Sequence, residues 1–237
     1  MTIIVSQSGS GGKTFLDLSR ELCQEPAIPG SGPSSVLNQS GEMKRIVDWI
    51  ARAYGAVQRL HRNWDFLRRD FLFETVPGQQ GYDLSEAGVT ELSSWKPDTF
   101  RAYASAIGTV DEQWVSPCAW EVFRDHFVMG ANRAVTGRPT HVAIKPDKSL
   151  ALWPTPDAAY TLSGEYFLRP QIMEVDGDEP VIPAEFRGIL VWQGLMYYAA
   201  YESAPDVYAH GQNEYRRLLA ELRADQLPQI GMAGALA

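Results

Sequence analysis

The sequence predicts an α+β fold, and three observations support this prediction. In segments near both ends of the chain, apolar residues recur every three or four positions, which is typical of amphipathic helices. In the middle, short apolar segments separated by Pro- and Gly-containing turns indicate β-strands. Hydrophobic residues make up 45% of the 237 residues, which is enough for a core without disulfides or metal ions. We therefore expect a helical bundle formed by the N- and C-terminal helices, a β-rich insertion between them and an extended C-terminal arm.

These patterns divide the chain into a bundle, an insertion and two arms. The bundle comprises residues 14–70 and 181–225, and the β-rich insertion comprises residues 71–180. Residues 1–13 form a Gly- and Ser-rich N-terminal arm that we expect to be flexible, and residues 226–237 form the C-terminal arm. The net charge is -8, and the insertion holds most of the acid, with 8 basic and 16 acidic side chains. This balance argues against a protein whose whole surface attracts nucleic acid.

The first two predicted helices cover residues 14–25 and 40–64. Thr14 is suited to the N-cap of the first helix, and Asp17, three residues later, is the acidic partner of a capping box. The second helix has apolar residues at spacings of three and four along its whole length. Both helices therefore need a partner for their apolar faces.

The insertion is predicted to begin with a β-hairpin. Phe71 and Phe73 alternate along a strand, Pro77-Gly78 marks a turn, and residues 82–84 return antiparallel. A short helix is expected at residues 117–127. Further strands are expected at residues 99–110, 141–144, 150–153 and 160–168.

Two more helices are predicted near the C-terminus, at residues 184–202 and 206–224. Pro183 suits a first helical turn, and the helix that follows it is apolar on nearly every side, which predicts burial all round. Pro205 then interrupts the pattern, so the two helices are expected to form a helical hairpin. The remaining tail has no charged side chain after Asp225 and is not expected to fold alone.

The sequence provides little support for catalysis or metal binding. Cys118 and His126 lie eight residues apart without a nucleophile motif around them, so a catalytic pair is not expected. The histidines and cysteines have no metal-ligand spacing, and the acidic residues 174–179 do not complete a calcium loop. No apolar stretch approaches the roughly 20 residues that a membrane span needs. We expect no enzyme activity, no cofactor and no membrane association.

One alternative function is suggested by the N-terminus, where an apolar run leads through glycines into Gly12-Lys13-Thr14, as in a phosphate-binding loop. The motif requires a glycine five residues before Gly12, and Gln7 stands there instead. No alternating strand and helix pattern supports the parallel sheet on which such loops lie. A P-loop-like nucleotide-binding protein therefore remains only an alternative.

A basic group of four arginines suggests a binding surface. It consists of Arg59, Arg62, Arg68 and Arg69, with His61 and Trp64 between them. These side chains could contact phosphates, which would make the protein a nucleic-acid-binding module, or acidic groups of a partner protein. Asp65 and Asp70 dilute the local positive charge, so protein contact is favoured over duplex binding.

Several short motifs are distributed over residues 14–222. The motifs are Thr14-Phe15-Leu16-Asp17-Leu18, Gly30-Ser31-Gly32-Pro33-Ser34-Ser35-Val36, Gln39-Ser40-Gly41-Glu42, Ile46-Val47-Asp48-Trp49-Ile50, Trp64-Asp65-Phe66-Leu67, Phe71-Leu72-Phe73, Gly78-Gln79-Gln80-Gly81-Tyr82, Arg138-Pro139, Ile182-Pro183-Ala184-Glu185-Phe186 and Tyr201-Glu202-Ser203-Ala204-Pro205. Together these motifs resemble those of the head-to-tail adaptor (head-completion, connector) proteins of tailed bacteriophages, of the tail tubular A-like type. The Gly- and Ser-rich N-terminal segment lies outside this resemblance.

The resemblance implies a structural protein of the virion, located at the head-tail interface and made in the cytoplasm of the bacterial host. Such proteins form a ring, usually of twelve copies, beneath the portal protein, and the ring extends the DNA channel and provides the docking surface for tail or nozzle proteins. Double-stranded DNA is then expected to pass through without specific binding, since an acidic channel wall does not hold phosphates.

Candidate contact residues follow from these arguments. We expect Arg59, Arg62, Arg68, Arg69 and Trp192 to contact the portal protein or a neighbouring subunit. By its position, the C-terminal arm corresponds to the segment that reaches the portal or a neighbour in the resembling family. Its candidate residues are Gln226, Leu227, Pro228, Gln229, Ile230, Met232 and Leu236.

Overall fold

The structure, a computed structural model, describes residues 12–25, 28 and 30–228 and divides the chain into two compact units. The first unit combines the chain up to Phe66 with the chain from Pro170 onward, and the second unit is Leu67–Arg169. The domain boundaries expected at residues 71 and 180 stay a prediction; in the structure, residues 170–180 lie in the first unit.

The described residues contain both helices and sheets, which confirms the α+β class. The five α-helices are α1 (Phe15–Gln24), α2 (Gly41–Leu60), α3 (Trp120–Phe123), α4 (Gly188–Glu202) and α5 (Pro205–Gln226). The eight strands are β1 (Arg68–Glu74), β2 (Gly81–Tyr82), β3 (Leu92–Ala104), β4 (Gln113–Trp114), β5 (Ser116–Cys118), β6 (His141–Ile144), β7 (Leu150–Trp153) and β8 (Tyr160–Leu168). Helices α1, α2, α4 and α5 belong to the first unit, and α3 and all strands belong to the second.

Helix α1 begins with the predicted capping box. The Asp17 backbone N–H donates to Thr14 Oγ1 at 3.2 Å, and the Thr14 backbone N–H donates to Asp17 Oδ2 at 3.0 Å. These bonds satisfy amide groups that a helix start otherwise leaves without partners. The apolar face of the helix, with Leu18 and Leu22 fully buried, then packs against α2 and α4.

Helix α2 ends at Leu60, four residues before the predicted end at residue 64. After Leu60 the backbone becomes extended at His61, and the chain folds back so that Trp64 is completely buried. The Trp64 indole Nε1 donates to the Val57 carbonyl at 3.1 Å. Trp64, which fits the helical spacing in the sequence, therefore covers the end of α2 and is not part of the helix.

Helix α4 is the centre of the bundle, because it packs against α1, α2 and α5. Its approach to α1 and α2 depends on Gly194, where a Cβ atom would lie 2.8 Å from Leu22 Cδ2 and 3.2 Å from Ile50 Cδ1. The predicted helix start at residue 184 is a 3₁₀ turn, and α4 itself begins at Gly188. Ser203, in the left-handed conformation, ends α4, and Pro205 opens α5, so the predicted helical hairpin is confirmed.

The second unit is built from two four-stranded sheets. The first has the order β1-β8-β3-β4 and is antiparallel throughout. The second has the order β2-β7-β6-β5, with a parallel pair between β5 and β6. Aromatic and aliphatic residues from both sheets form one shared core, which includes Phe71, Phe100, Leu150 and Leu162. The unit is therefore a β-sandwich, in which each inner face covers the other.

The predicted β-hairpin at residues 71–84 is wrong. Strand β1 pairs with β8, with Phe73 opposite Leu162, whereas β2 pairs with β7 of the other sheet, with Tyr82 opposite Leu150. The rings of Phe73 and Tyr82 meet across the core at a centroid distance of 5.1 Å. Pro77-Gly78 therefore marks a crossover between sheets, and the two segments bury their apolar residues against each other without sharing a ladder.

The strands at 141–144, 150–153 and 160–168 are confirmed, but the strand expected at 99–110 runs from Leu92 to Ala104. Pro97 lies in a bulge where the pairing with β8 shifts between Lys96 and Arg101. Thr99 Oγ1 accepts the Glu165 N–H at 2.9 Å, so the bulge leaves that amide satisfied.

The helix expected at 117–127 is shorter than predicted. Ser116–Cys118 form β5, only Trp120–Phe123 are α-helical, and Arg124–Val128 form a π-helix. Phe123 is fully buried and joins Ala143 and Ala151 in a small core on the second sheet. Among the described residues, none of the helices is both long and apolar enough to cross a membrane.

Candidate partner-binding surfaces

The described residues do not form a catalytic or metal-binding cluster. Cys118 is half-buried and its Sγ donates to the Ala119 carbonyl, while Asp125 is bound by Arg124 at 2.8 Å. Within the described ranges, His, Cys, Asp and Glu side chains nowhere gather in a group of three that could bind a metal ion. The structure therefore directs attention to surfaces that could bind macromolecules.

The acidic turn at residues 174–179 has a structural use. Asp176 Oδ1 accepts the Val36 N–H at 2.5 Å and the Ser35 hydroxyl at 3.0 Å. Asp178 Oδ2 accepts two amides of its own turn, and the Asp178 carbonyl accepts the Phe15 N–H at 2.8 Å. These residues hold the start of α1 and the loop before α2 in place, so their oxygens are used in hydrogen bonds within the protein.

The Gly12-Lys13-Thr14 segment is also engaged in local structure. Lys13 Nζ lies 2.6 Å from Glu21 Oε1, and Thr14 caps α1. The buried Arg187 donates to the Lys13 carbonyl at 3.1 Å and lies so close to Gly12 that a Cβ atom there would overlap Nη1. This geometry does not match a phosphate-binding loop, whose lysine must be directed to the ligand. Residues 1–11 of the predicted N-terminal arm lie outside the described residues.

The structure distributes the predicted basic group over both units. Arg59 is exposed on the last turn of α2, and Arg62 is exposed just after it. Arg68 and Arg69 begin β1 in the second unit. Arg68 Nε lies 3.6 Å from Glu165 Oε2, and Arg69 Nη1 donates to the Arg68 carbonyl at 2.7 Å. The four arginines are close in the sequence, but they do not lie on one element.

Trp192 and the first three residues of the C-terminal arm lie within the described part of the chain. Trp192 is half-buried on α4, and its ring meets His210 of α5 edge-on at 5.4 Å. Gln226 is the last residue of α5, and the Leu227 N–H donates to the Arg223 carbonyl. Pro228 is exposed and ends the described part of the chain. The other predicted residues of the arm lie outside it, namely Gln229, Ile230, Met232 and Leu236.

Sequence reasoning missed a row of arginines along α2. Arg45, Arg52 and Arg59, which we call the arginine row, are seven residues apart and exposed. The Arg45 guanidinium lies 4.6 Å from the centre of the Tyr201 ring, and that of Arg52 lies 4.7 Å from the Tyr197 ring. Arg–Tyr stacking of this kind orients the guanidinium group. The seven-residue interval was visible in the sequence, whereas the tyrosines come from α4.

The outer face of the first sheet is a second exposed surface. Leu72 is 64% exposed and Trp114 is 60% exposed, and they line a shallow pocket of about 500 Å³. The Arg101 guanidinium lies 4.0 Å from the centre of the Trp114 ring and is paired with Glu112 at 2.8 Å. Exposed apolar and aromatic side chains on one sheet face are typical of protein contact surfaces.

The turn after β3 exposes two further aliphatic residues, Ile107 and Val110, of which Val110 is 95% exposed. Asp111 holds this turn in shape. Its carboxylate accepts the Ala104 N–H at 3.0 Å and the Arg138 guanidinium at 2.9 Å. The Ala104 amide, followed by Arg138, lowers the pKa of Asp111, because both donate to the charged carboxylate.

A family of known proteins matches the sequence. The family model described as SU10 adaptor protein matches residues 13–234, which is nearly the whole chain. No curated protein matches the sequence. Because the match spans both units, it applies to the chain as a whole and not to a shared fragment. The chain therefore belongs to the SU10 adaptor protein family, which consists of structural, non-enzymatic adaptor proteins of bacteriophages.

Proposed function

We propose that this protein is a head-to-tail adaptor of the tail tubular A-like type. In this proposal, twelve copies form a ring beneath the portal protein, extend the DNA channel and provide the docking surface for tail or nozzle proteins. The observation that supports it is the family match over residues 13–234, which covers both the bundle and the sandwich. The exposed apolar and arginine-rich surfaces of both units are consistent with a protein that has several neighbours.

Double-stranded DNA would pass through the ring without specific binding. Each copy has a net charge of -8, so twelve copies would bring roughly a hundred negative charges to one assembly. A predominantly acidic wall repels the phosphate backbone, whereas tight binding needs many neutralised phosphates. The protein would need no cofactor, would have no membrane partner and would be incorporated into the virion after synthesis in the host cytoplasm.

The contacts to the portal protein or to a neighbouring copy are assigned to two regions. The first is the group of Arg59, Arg62, Arg68, Arg69 and Trp192, and the second is the C-terminal arm at residues 226–237. Of these, Arg59 and Arg62 are exposed near the end of α2, and Pro228 is exposed after α5.

The test of this function is assembly with the portal protein encoded near this gene. We expect mass photometry and negative-stain imaging to show a ring of this protein capping the portal ring when the two purified proteins are mixed. A chain that stays monomeric and does not bind the portal at any concentration would contradict the proposed function. The portal protein alone, and this protein alone, are the controls.

A further inference from the structure

We propose that neighbouring copies of this chain contact each other through the arginine row of α2 in one copy and through Glu214 and Glu221 of α5 in the next. This inference rests on the proposed ring and identifies the surfaces that would close it. Three features support it: the spacing of the charges, the partners that these charges now have, and their positions in the bundle.

The arginine row is a regular array of available cations. Residues seven apart on a helix lie on one face and are separated by about 10.5 Å along the axis. Tyr201 and Tyr197 support Arg45 and Arg52 from below, which leaves the N–H edges of the guanidinium groups for a carboxylate. Within the described residues, none of the three arginines has a carboxylate in ion-pair distance, although Lys44 and Asp48 on the same helix pair with each other.

The matching acids lie on α5. Glu214 and Glu221 are also seven residues apart, so their spacing along the helix axis equals that of the row. Both now bind Arg217, at 2.9 and 3.0 Å, and these side chains are partly exposed. Two carboxylates share this single guanidinium, so the set keeps one net negative charge. Exposed ion pairs of this kind contribute little, and each glutamate can accept a second arginine at small cost.

The two surfaces are suitably placed for a ring. Helix α4 packs against both α2 and α5, so the arginines and the glutamates lie on two different helices of one bundle, and Arg223 of α5 donates to His61 just after α2 at 3.1 Å. A ring of identical copies needs two different, complementary surfaces on each copy, because each copy contacts its neighbours head to tail. The described structure thus provides one basic and one acidic surface on two helices of the same unit.

A protein partner fits this surface better than DNA. Glu42 and Asp48 also lie on α2, and the chain as a whole is acidic, so the field that would attract a duplex is weak. An apolar pocket of about 330 Å³ lies at the corner between α4 and α5, lined by residues such as Ala200, Ala204 and Tyr208. Such a pocket accepts an apolar side chain of a protein, whereas the outer backbone of a duplex is mainly charged and polar.

Charge reversal tests this contact. One variant replaces the row with Arg45→Glu, Arg52→Glu and Arg59→Glu, and a second carries Glu214→Arg and Glu221→Arg. We expect each variant alone to form portal-capping rings at a level about tenfold below the unmodified chain, because like charges then face each other. Mixing the two variants restores every contact in an alternating ring, so assembly should recover. The control is Arg133→Glu, which reverses an exposed arginine in the second unit.

A second measurement covers the case in which a reversed chain does not fold. If two glutamates bind two adjacent arginines of the row, Arg52 is one of them in every register. We therefore expect a chain with Arg52→Cys to cross-link to a chain with Glu214→Cys or Glu221→Cys when both are mixed with the portal and treated with a bifunctional maleimide, because an Arg–Glu contact separates the two backbones by more than a disulfide bridges. Cys118 is replaced by Ser throughout, and the buried Cys23, whose thiol pKa burial raises to about 11, stays unreactive.

The outcomes separate the interface from the function. Rings of normal yield from both reversed variants, or no cross-link within rings that do form, would overturn the interface and leave the adaptor function standing. Absence of rings from the unmodified chain would overturn the proposed function itself. If the row-reversed chain forms normal rings but loses salt-dependent retention of duplex DNA, the row binds phosphates and the contact proposed here is wrong.

Discussion

At the scale of single residues, Arg187 connects more of the first unit than any motif in the sequence suggested. Its side chain is buried, and it donates to the Ile182 carbonyl at 3.1 Å, to the Lys13 carbonyl at 3.1 Å and to Glu179 at 2.9 Å. It thereby ties the segment before α1 to the segment before α4. A buried guanidinium is tolerated because its N–H groups have acceptors.

We expect Arg187→Ala to lower the free energy of unfolding by about 2–4 kcal/mol, because the buried Ile182 carbonyl and the partly buried Lys13 carbonyl lose their donor. Urea denaturation followed by tryptophan fluorescence measures this. The matched variant is Glu179→Gln, which we expect to cost less than about 1 kcal/mol because that carboxylate is half exposed. Equal losses in the two variants would show that the ion pair, not the carbonyl bonds, is what stabilises the segment.

The arginine row shows what residue-level reading of a sequence could and could not supply. Arg59 was selected because basic residues follow it closely in the sequence, whereas Arg45 and Arg52 share its helix face at intervals of seven. The helix was predicted correctly, so the row could have been found by counting along it. Its partners Tyr197 and Tyr201 could not have been found in this way, because they depend on which face of α4 packs against α2.

At the scale of elements, local signals predicted helices and strands well, and pairing was predicted poorly. The capping box of α1 and the bounds of β6, β7 and β8 follow from neighbouring residues alone. The predicted hairpin was wrong because strand pairing depends on residues that are distant in the sequence. Strand β1 pairs with β8, nearly ninety residues later, and the Thr75 N–H donates to the Tyr160 carbonyl. Trp64 likewise continued the helical pattern in the sequence, but in the structure α2 ends at Leu60 and Trp64 folds back against it.

The capping box predicts a pH dependence for α1. The Thr14 amide, followed by its hydroxyl, lowers the pKa of Asp17 below the ordinary value of 3.8. A carboxyl with a lowered folded-state pKa stabilises the protein above its unfolded-state pKa, and this contribution is lost as the pH falls through the folded-state pKa. We expect the stability of the unmodified chain to fall more steeply below pH 4 than that of Asp17→Asn. Parallel curves from thermal unfolding between pH 2 and 6 would contradict the assignment.

At the scale of the whole molecule, we expect the stability of the chain and its proposed function to respond to different residues. The core of each unit is closed by its own side chains, while the arginine row, the sheet face around Trp114 and the turn at Val110 are exposed. The composition and motifs of the sequence predict no enzyme activity, and this stays a prediction. The sheet face around Trp114 required the fold, because Leu72 and Trp114 lie far apart in the sequence.

The C-terminal arm provides the prediction at this scale. We expect a chain that ends at Pro228 to unfold at the same urea concentration as the full chain, because α5 ends at Gln226. Its affinity for the portal protein should fall by about tenfold, ~1.4 kcal/mol, if the arm reaches the portal as proposed. Unchanged affinity in a pull-down titration would remove the arm from the contact. Replacing residues 229–237 with a Gly-Ser segment of equal length is the control for chain length.

The glycine at the centre of the bundle has a geometric consequence. In a closed ring of twelve, each copy is rotated by about 30° from the last, and this rotation must be built into the angle between the two contact surfaces of one copy. In the proposed ring those surfaces are on α2 and α5, and α4 packs against both helices, with Gly194 at its contact with α1 and α2. A side chain at this position would push the helices apart and alter the curvature, so that circles of another size, or open spirals, form from chains that are still folded.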